Sequence, residues 1–139
     1  MTVNAITKNQ KAIALISGMK IGRGRLPEPN SSIGFEKDGK LVGAVVFNNF
    51  TGRDIWVSVW SDDKSIWTRK NMKIMCDYPF NICRVKRIST VVRSGNEKAI
   101  KLNKQFGFVE EGVSRRLFGD DEDGDGVFFG LLKEDCRWL

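Results

Sequence analysis

The chain has 139 residues, 41% of them hydrophobic and 29% charged, a composition typical of a globular protein with its own buried core. We interpret residues 1–139 as a single domain. The absence of histidine excludes Ser-His-Asp and Cys-His catalytic triads and most zinc sites, and no apolar run approaches the roughly 18 residues of a membrane-spanning helix.

The net charge of +6 is unevenly distributed, because residues 120–125 contain five carboxylates in an otherwise basic chain. A basic body suits a phosphorylated cofactor, an acidic protein or a nucleic acid. The aromatic and basic interleaving of single-strand readers is not evident, so we expect no nucleic-acid role. A nucleic-acid-associated protein, motivated by the basic body, is kept as a third hypothesis. The three cysteines form no pairing pattern and the N-terminus carries no signal-peptide pattern, which predicts reduced thiols and a cytoplasmic protein.

The acidic segment also resembles part of a calcium loop. Asp121, Asp123, Asp125 and Gly126 match positions 1, 3, 5 and 6 of an EF-hand loop. Position 12 would be Leu132 instead of the bidentate glutamate. We therefore predict no metal site and interpret the segment as an acidic hairpin turn, with recognition of a basic substrate as its candidate role.

The chain opens with a predicted strand at residues 3–6 and a helix from there to about Met19. Thr7 and Gln10 have the spacing of a capping box. Four apolar residues of this helix are expected to face the core: Ala12, Ile13, Leu15 and Ile16. The loop at residues 21–32 contains Gly22-Arg-Gly-Arg25, which we interpret as solvated, with a phosphate-gripping or substrate loop as the alternative.

Three strands are predicted next, at residues 33–37, 40–50 and 54–60. Asp38-Gly39, between the first two, is a strong type I′ turn signal. The third strand carries large apolar groups on both faces, so we expect it to be central and covered on both sides. A helix at residues 63–77 follows, capped by Asp62 or Asp63 and ended by Pro79.

The second half of the chain is organised around a strand at residues 87–93 and the helix after it. Ser94 and Glu97 have the spacing of a capping box, and Asn96 is a competing N-cap. Gly107 falls where a left-handed residue ends a helix. A strand begins just beyond, and residues 113–118 and 127–133 are predicted to close the fold as a hairpin. This order predicts an α/β fold with a mixed sheet, antiparallel early and locally parallel across the helical crossovers.

The segment from Asn96 to Phe108, NEKAIKLNKQFGF, resembles the late signature of the GNAT-type N-acetyltransferase superfamily. That signature is an asparagine followed by an Ala-x-x-Leu helix closing in Gly-Phe. Residues 78–81 (YPFN) and the ending CRW at residues 136–138 are similar to short acetyltransferase-like proteins of tailed bacteriophages. The resemblance implies a GNAT-like α/β fold: a mixed six- to seven-stranded sheet, antiparallel with a parallel central pair, flanked by helices.

The resemblance also implies where acetyl-CoA would bind. The sheet splays between the strands at residues 54–60 and 87–93, which places acetyl-CoA against Val57, Val59 and Trp60. Asn96 would lie near the pantetheine arm, and Asn103 stands where many members carry a tyrosine acting as general acid. The superfamily's glycine-containing phosphate loop is missing from residues 61–69, where glycine would let a phosphate approach the backbone. Phosphate binding therefore falls to side chains there: Lys64, Ser65, Thr68 and Arg69.

Transfer of an acetyl group to an amine needs a base, and without histidine that base must be a carboxylate or water. The candidates are Asp54, Glu110 and Glu111, with Glu36 as a further carboxylate. Each is also consistent with a solvated surface residue. Because adjacent strand residues point to opposite faces, at most one of Glu110 and Glu111 can face the gap.

These observations predict an N-acetyltransferase that transfers an acetyl group from acetyl-CoA to an amine on a protein or small molecule. The alternative is a catalytically inactive GNAT-fold binding module acting on a host or phage protein, motivated by the altered phosphate loop. We expect no membrane partner, and a location in the host cytoplasm if the protein is phage-encoded. Acetyltransferases of this fold often dimerise, so a homodimer is an open alternative.

Overall fold

A computed structural model gives the structure of the protein and describes residues 3–139. Within this range, seven strands form one sheet in the order β1-β2-β3-β4-β5-β7-β6. The strands are β1 (Asn4–Ile6), β2 (Asn30–Lys37), β3 (Lys40–Asn48), β4 (Asp54–Ser61), β5 (Arg87–Arg93), β6 (Val109–Ser114) and β7 (Gly126–Leu132). The helices are α1 (Gln10–Ile21), α2 (Arg69–Asp77) and α3 (Glu97–Phe106).

The central pair β4–β5 is parallel, and every other neighbouring pair in the described sheet is antiparallel. This confirms the predicted fold class. No helix in residues 3–139 has the length and apolar character needed to cross a membrane.

Helices cover both faces of the sheet. Residues of α2 and α3 pack with one apolar cluster that includes Phe35, Phe47 and Phe129, and we call this the α2/α3 face. On the opposite side, the α1 face, Ile13 of α1 packs with Ala44 and Trp60. The core therefore lies in two layers, with most of it under α2 and α3.

The hairpin between β2 and β3 forms as predicted. Asp38 and Gly39 both have positive φ, at 54° and 76°, as the type I′ turn requires. The turn sets the register in which Lys37 lies opposite Lys40.

Helix α1 begins at Gln10, so the predicted capping box at Thr7 is wrong. The side-chain Nε2 of Gln10 donates to the backbone carbonyl oxygens of Thr7 and Ser32, 2.7 Å in each case. Its Oε1 accepts from the backbone N–H of Ser32 at 2.6 Å. Gln10 thus ties the start of α1 to β2, a long-range contact that local spacing does not reveal.

The predicted inner face of α1 is also wrong, except for Ile13. Leu15 and Ile16 are 54% and 40% exposed, and Ala12 is exposed as well, whereas Ser17 and Gly18 are buried. The reason is a close approach of backbone: a β-carbon at Gly18 would lie 1.8 Å from the carbonyl oxygen of Gly24. The loop after α1 therefore packs on its small-residue side and turns the larger apolar side outward.

The predicted helix at residues 63–77 is divided in two. Asp63 caps a short 3-10 turn at Lys64–Ile66 by accepting from the Ser65 amide at 2.8 Å. Helix α2 then begins after its own N-cap, Thr68, which accepts from the Asn71 amide. Ile66, in the 3-10 turn before the break, is completely buried in the core.

The α-helix ends at Asp77, two residues before Pro79, as predicted. A π-helical turn at Tyr78–Ile82 follows it, closed by the Cys83 amide donating to the Tyr78 carbonyl at 2.9 Å. Pro79 is accommodated because it stands in the first turn, where a missing N–H is tolerated.

Helix α3 is capped by Asn96, whose Oδ1 accepts from the Ala99 amide at 3.1 Å. The alternative box at Ser94 is wrong, because the Ser94 hydroxyl donates to the Glu122 carbonyl instead. Gly107, with φ 117°, ends the helix as predicted and donates to the Asn103 and Lys104 carbonyls. Strand β6 runs from Val109 to Ser114, so the strand predicted at residues 113–118 is misplaced.

Candidate active site

The sheet opens between its two central strands. The β4–β5 ladder contains three residue pairs, the last of which is Trp56 opposite Ser89. Beyond them, β4 stays paired with β3 as far as Ser61, and β5 stays paired with β7 as far as Arg93. We call the space between residues 57–61 of β4 and residues 90–93 of β5 the gap. Each wall is held by its outer neighbour, so the opening is part of the fold.

The direction of the peptide groups shows which residues face the gap. The Arg87 amide of β5 donates towards β4, to the Arg53 carbonyl, at 3.3 Å, whereas the Asp62 amide after β4 donates towards β3, to Val42. Because peptide direction alternates along a strand, Val57 and Val59 of β4 direct their N–H and C=O groups into the gap. By the same alternation, the Val91 peptide of β5 points at them from the other wall.

Two of the predicted cofactor residues therefore lie on the gap. The Val57 carbonyl accepts a 2.9 Å hydrogen bond from the buried Thr90 hydroxyl, which cross-links the walls where the ladder ends. Val59, two residues further along β4, is 36% exposed, whereas the nearby Val57 and Trp60 are buried. The exposed side chain marks the point at which the walls separate.

Trp60 belongs to the β4 wall, but neither its side chain nor its peptide faces the gap. Its indole is packed under α1 and donates to the Ser17 hydroxyl at 2.8 Å, while its backbone pairs with Ala44 of β3. The resemblance placed it on the gap together with Val59, but alternation along the strand turns it to the α1 face. Its prediction as a cofactor residue is corrected accordingly.

The predicted phosphate-binding residues surround the 3-10 turn and the start of α2. The Ser65 hydroxyl donates to Asp63 at 2.6 Å, so it is not available as a phosphate donor. The Thr68 oxygen caps α2 and keeps its hydroxyl proton to donate. Lys64 and Arg69 are exposed and form no ion pair within residues 3–139.

The two aspartates of this segment are neutralised by lysines. Lys20 of α1 pairs with Asp62 at 2.5 Å, and Lys37 of β2 pairs with Asp63 at 3.1 Å. Hydrogen bonds from Ser65 and Lys37 lower the pKa of the Asp63 carboxyl to about 2. Each carboxylate is therefore matched by a cation from another element, which reduces the repulsion that the two aspartates would exert on a phosphate bound nearby.

Cations are also abundant on the two helices of the α2/α3 face. Those of α2 and α3 are all exposed, and none forms an ion pair with the rest of the described chain. They are Arg69, Lys70 and Lys73 on α2, and Lys98, Lys101 and Lys104 on α3. Unpaired cations on both helices favour an anionic ligand on this face.

The three predicted catalytic carboxylates lie away from the gap. Asp54 stands at the paired end of β4, five residues and about 16 Å along the strand from Val59. It accepts from the Ser89 hydroxyl at 2.8 Å and lies 3.6 Å from the Arg87 guanidinium. Glu111 is bound by both terminal nitrogens of Arg87, at 2.5 and 3.2 Å, which raises the pKa of that arginine. Glu110 is exposed on the edge strand β6.

The two predicted asparagines occupy opposite ends of α3. Asn96 begins the helix directly after the β5 wall of the gap and uses its Oδ1 as the cap. Asn103 is half-buried in the last turn, about 10 Å further along the helix axis. The structure therefore brings Asn96, but not Asn103, to the end of the gap.

Arg23 is a residue of the gap that sequence reasoning did not select. From the loop after α1, its Nη2 donates to the Val91 carbonyl at 3.1 Å, and its guanidinium lies 4.8 Å from the centre of the Phe118 ring. The side chain as a whole is exposed, but its guanidinium is desolvated enough to lower its pKa. The only signal for it was the Gly22-Arg-Gly-Arg25 loop, and its reach to β5 depends on tertiary packing.

The acidic segment is fastened to the end of β5. The Ser94 and Gly95 amides donate to the Asp125 and Asp123 carbonyls at 2.8 and 3.1 Å, and the Arg93 Nε donates to the Asp123 carbonyl at 3.1 Å. An open concavity lies beside it, lined by Ser114, Arg115, Arg116, Asp120, Asp121, Glu122 and Asp125. Across residues 3–139, no three cysteine or carboxylate side chains are grouped as metal ligands.

No protein-family model matches the chain. One curated relative, from Bacillus subtilis (strain 168), carries the name "Putative ribosomal N-acetyltransferase YdaF". It is 28% identical over 105 residues, which covers 70% of this chain and 57% of YdaF. The chain thus spans a little over half the length of this relative.

Solved structures share the fold at lower identity. The spermidine N-acetyltransferase SpeG of Vibrio cholerae, as its F149G mutant, aligns with a TM-score of 0.75 at 17% identity, over 94% of each chain. Another SpeG structure is described as dodecameric. The N-acetyltransferase PseH of Campylobacter jejuni, solved with acetyl coenzyme A, aligns with a TM-score of 0.59 at 19% identity, over 77% of this chain and 70% of PseH. The protein therefore has the GNAT-type N-acetyltransferase fold.

Proposed function

We propose that the protein is an N-acetyltransferase that uses acetyl-CoA as co-substrate. The observation that carries this proposal is the gap, where the Val59 peptide faces an opening between two otherwise paired strands. An extended pantetheine arm has amide groups that such a strand edge can bind. The unpaired cations of α2 and α3 add a second argument, because the nucleotide end of acetyl-CoA carries its phosphates.

The gap suits the chemistry of acyl transfer. The amine nitrogen attacks the thioester carbon, the carbonyl oxygen becomes negatively charged, and the carbon–sulfur bond then breaks to release the CoA thiolate. A fixed strand amide such as that of Val59 stabilises the charged oxygen. Asp54 is held by Ser89 and Arg87, and Glu111 is held by Arg87. We therefore propose that solvent water accepts the proton that the amine loses. Water likewise protonates the thiolate, because Asn103 has no titratable proton.

The acceptor is proposed as an amine on a protein or small molecule. The names of the similar proteins include both classes. YdaF is named as a ribosomal acetyltransferase, which suggests a protein acceptor, and SpeG as an acetyltransferase of the small molecule spermidine. A host or phage protein as acceptor, and the resemblance to phage-encoded proteins, stay part of this proposal. So does assembly into a homo-oligomer.

Thermal unfolding with and without acetyl-CoA tests the proposal. Binding at 100 times the dissociation constant adds about 2.7 kcal/mol to the free energy of unfolding. We expect a rise of several degrees in Tm. No rise at millimolar acetyl-CoA would contradict the proposal.

Catalysis is tested separately by following CoA release in the presence of spermidine and of a ribosomal protein mixture. Release that depends on protein and amine together is the expected result. Binding of acetyl-CoA with no release above the rate without protein would favour the inactive binding module, for which the altered phosphate loop is the argument.

A further inference from the structure

We propose that Arg23 is a catalytic residue of this site and donates to the thioester oxygen of acetyl-CoA from the wall opposite Val59. The inference rests on the proposed function and names a group of this chain that takes part in it. It begins from the position of the guanidinium on β5.

The register of the sheet defines that position. The last pair of the β4–β5 ladder is Trp56 opposite Ser89. If the ladder continued, the next acceptor on β5 that faces β4 would be the Val91 carbonyl, and its donor would be the Val59 amide. The strands separate instead, and the Arg23 Nη2 takes the donor's place at 3.1 Å. The guanidinium therefore occupies the β5 side of the gap, at the carbonyl that would otherwise pair with the Val59 amide.

Arg23 has donors to spare at this point. A guanidinium has five N–H groups, and within residues 3–139 only one side-chain hydrogen bond is formed by Arg23, that to Val91. Phe118 covers one side of the group at 4.8 Å and contributes no acceptor of its own. The remaining N–H groups are free to donate to an oxygen placed in the gap.

The backbone holds Arg23 in place. Its own amide donates to the Gly18 carbonyl of α1 at 3.0 Å, and the neighbouring Gly24 has φ 68° and packs against Gly18. The loop is thereby pinned to the helix, which fixes the backbone position from which the side chain reaches β5.

A cation at this point acts on both reactants. It stabilises the negative oxygen of the tetrahedral intermediate, in the manner of an oxyanion-hole donor. It also disfavours a protonated amine in the same space, which helps the acceptor arrive uncharged without a carboxylate base. Desolvation of Arg23 strengthens both effects, because the charge is less screened there.

The test compares Arg23→Gln and Arg23→Lys with a matched control, Arg25→Gln. Arg25 lies in the same loop, its side chain is 77% exposed, and its contact is a 3.5 Å pair with Glu28. Two measurements need no known acceptor: the affinity for acetyl-CoA, and the ¹³C resonance of acetyl-CoA labelled at its carbonyl carbon. A third is the rate at which each variant hydrolyses acetyl-CoA.

We expect Arg23→Gln to bind acetyl-CoA within about threefold of the unmodified protein, to shift the carbonyl resonance towards its free value, and to hydrolyse acetyl-CoA about 100-fold more slowly. Arg23→Lys should lie between the two, and Arg25→Gln should be unchanged. An unchanged resonance and rate in Arg23→Gln would overturn the proposal. Tighter acetyl-CoA binding by this variant would also overturn it, because Arg23 would then be a residue that obstructs the gap. If the unmodified protein does not bind acetyl-CoA, the proposed function fails first and this inference fails with it.

Discussion

At the scale of single residues, the Val59 amide is the group on which the proposed cofactor site depends most. Its N–H faces the gap and does not take part in the ladder with β3, so proline at this position removes that donor alone. We predict that Val59→Pro keeps the fold but lowers acetyl-CoA affinity at least tenfold. Val59→Ala, the matched control, keeps the amide and should bind within about threefold. The measurement is calorimetric titration with acetyl-CoA, and equal affinities for the two variants would contradict it.

Asp63 gives a prediction about pH. Its folded-state pKa of about 2 lies below the ordinary value of 3.8, so its ionised form stabilises the fold. That stabilisation is complete above pH 3.8 and is lost as the pH falls towards 2. We expect Asp63→Ala to lower Tm by a few degrees at pH 7, and the difference from the unmodified protein to shrink between pH 4 and pH 2. A difference that stays constant down to pH 2 would show that the carboxylate charge is not responsible.

At the scale of elements, the start of α3 separates two N-caps that are close in sequence. Only Asn96 caps the helix, whereas Ser94 bonds to the acidic segment. Asn96→Ala should therefore lower the free energy of unfolding by about 1 kcal/mol. Ser94→Ala should change it by no more than about 0.5 kcal/mol. Urea unfolding of both variants measures the contrast, and the reverse order would reinstate the Ser94 capping box.

The strand, helix and strand from Arg87 to Ser114 show what a sequence can predict. The β5 bounds, the Asn96 cap as one of two alternatives, and Gly107 at the helix end all depend on local chemistry, and all three are confirmed. The orientation of α1 was not predictable, because it depends on Gly18 meeting Gly24 of the following loop. The same holds for Thr90 and Arg23, whose partners lie 33 and 68 residues away in the chain.

At the scale of the whole molecule, the charge distribution predicts how acetyl-CoA binding responds to salt. The unpaired cations of α2 and α3 lie on one face, and Lys8 and Lys11 lie at the start of α1 on the other. Replacing Lys98 and Lys101 by glutamine should weaken binding about 3- to 10-fold at low salt and flatten its salt dependence. The same change at Lys8 and Lys11 should have little effect. Equal losses in both double variants would show that only net charge matters.

The short β4–β5 ladder has a consequence for how the chain folds. Every other strand pair forms within one half of the chain, either up to Ser61 or from Arg87 onwards. Nearby pairings close with a smaller loss of chain entropy than distant ones. We therefore expect the two half-sheets to form early and to dock late.

Ile88→Val at the junction should speed unfolding with little effect on refolding, whereas Val45→Ala in the β2–β3 hairpin should slow refolding. Stopped-flow kinetics would measure both, and a junction variant that slows refolding most would reverse the order. The gap, where we propose that acetyl-CoA binds, is then also the part of the sheet that forms last.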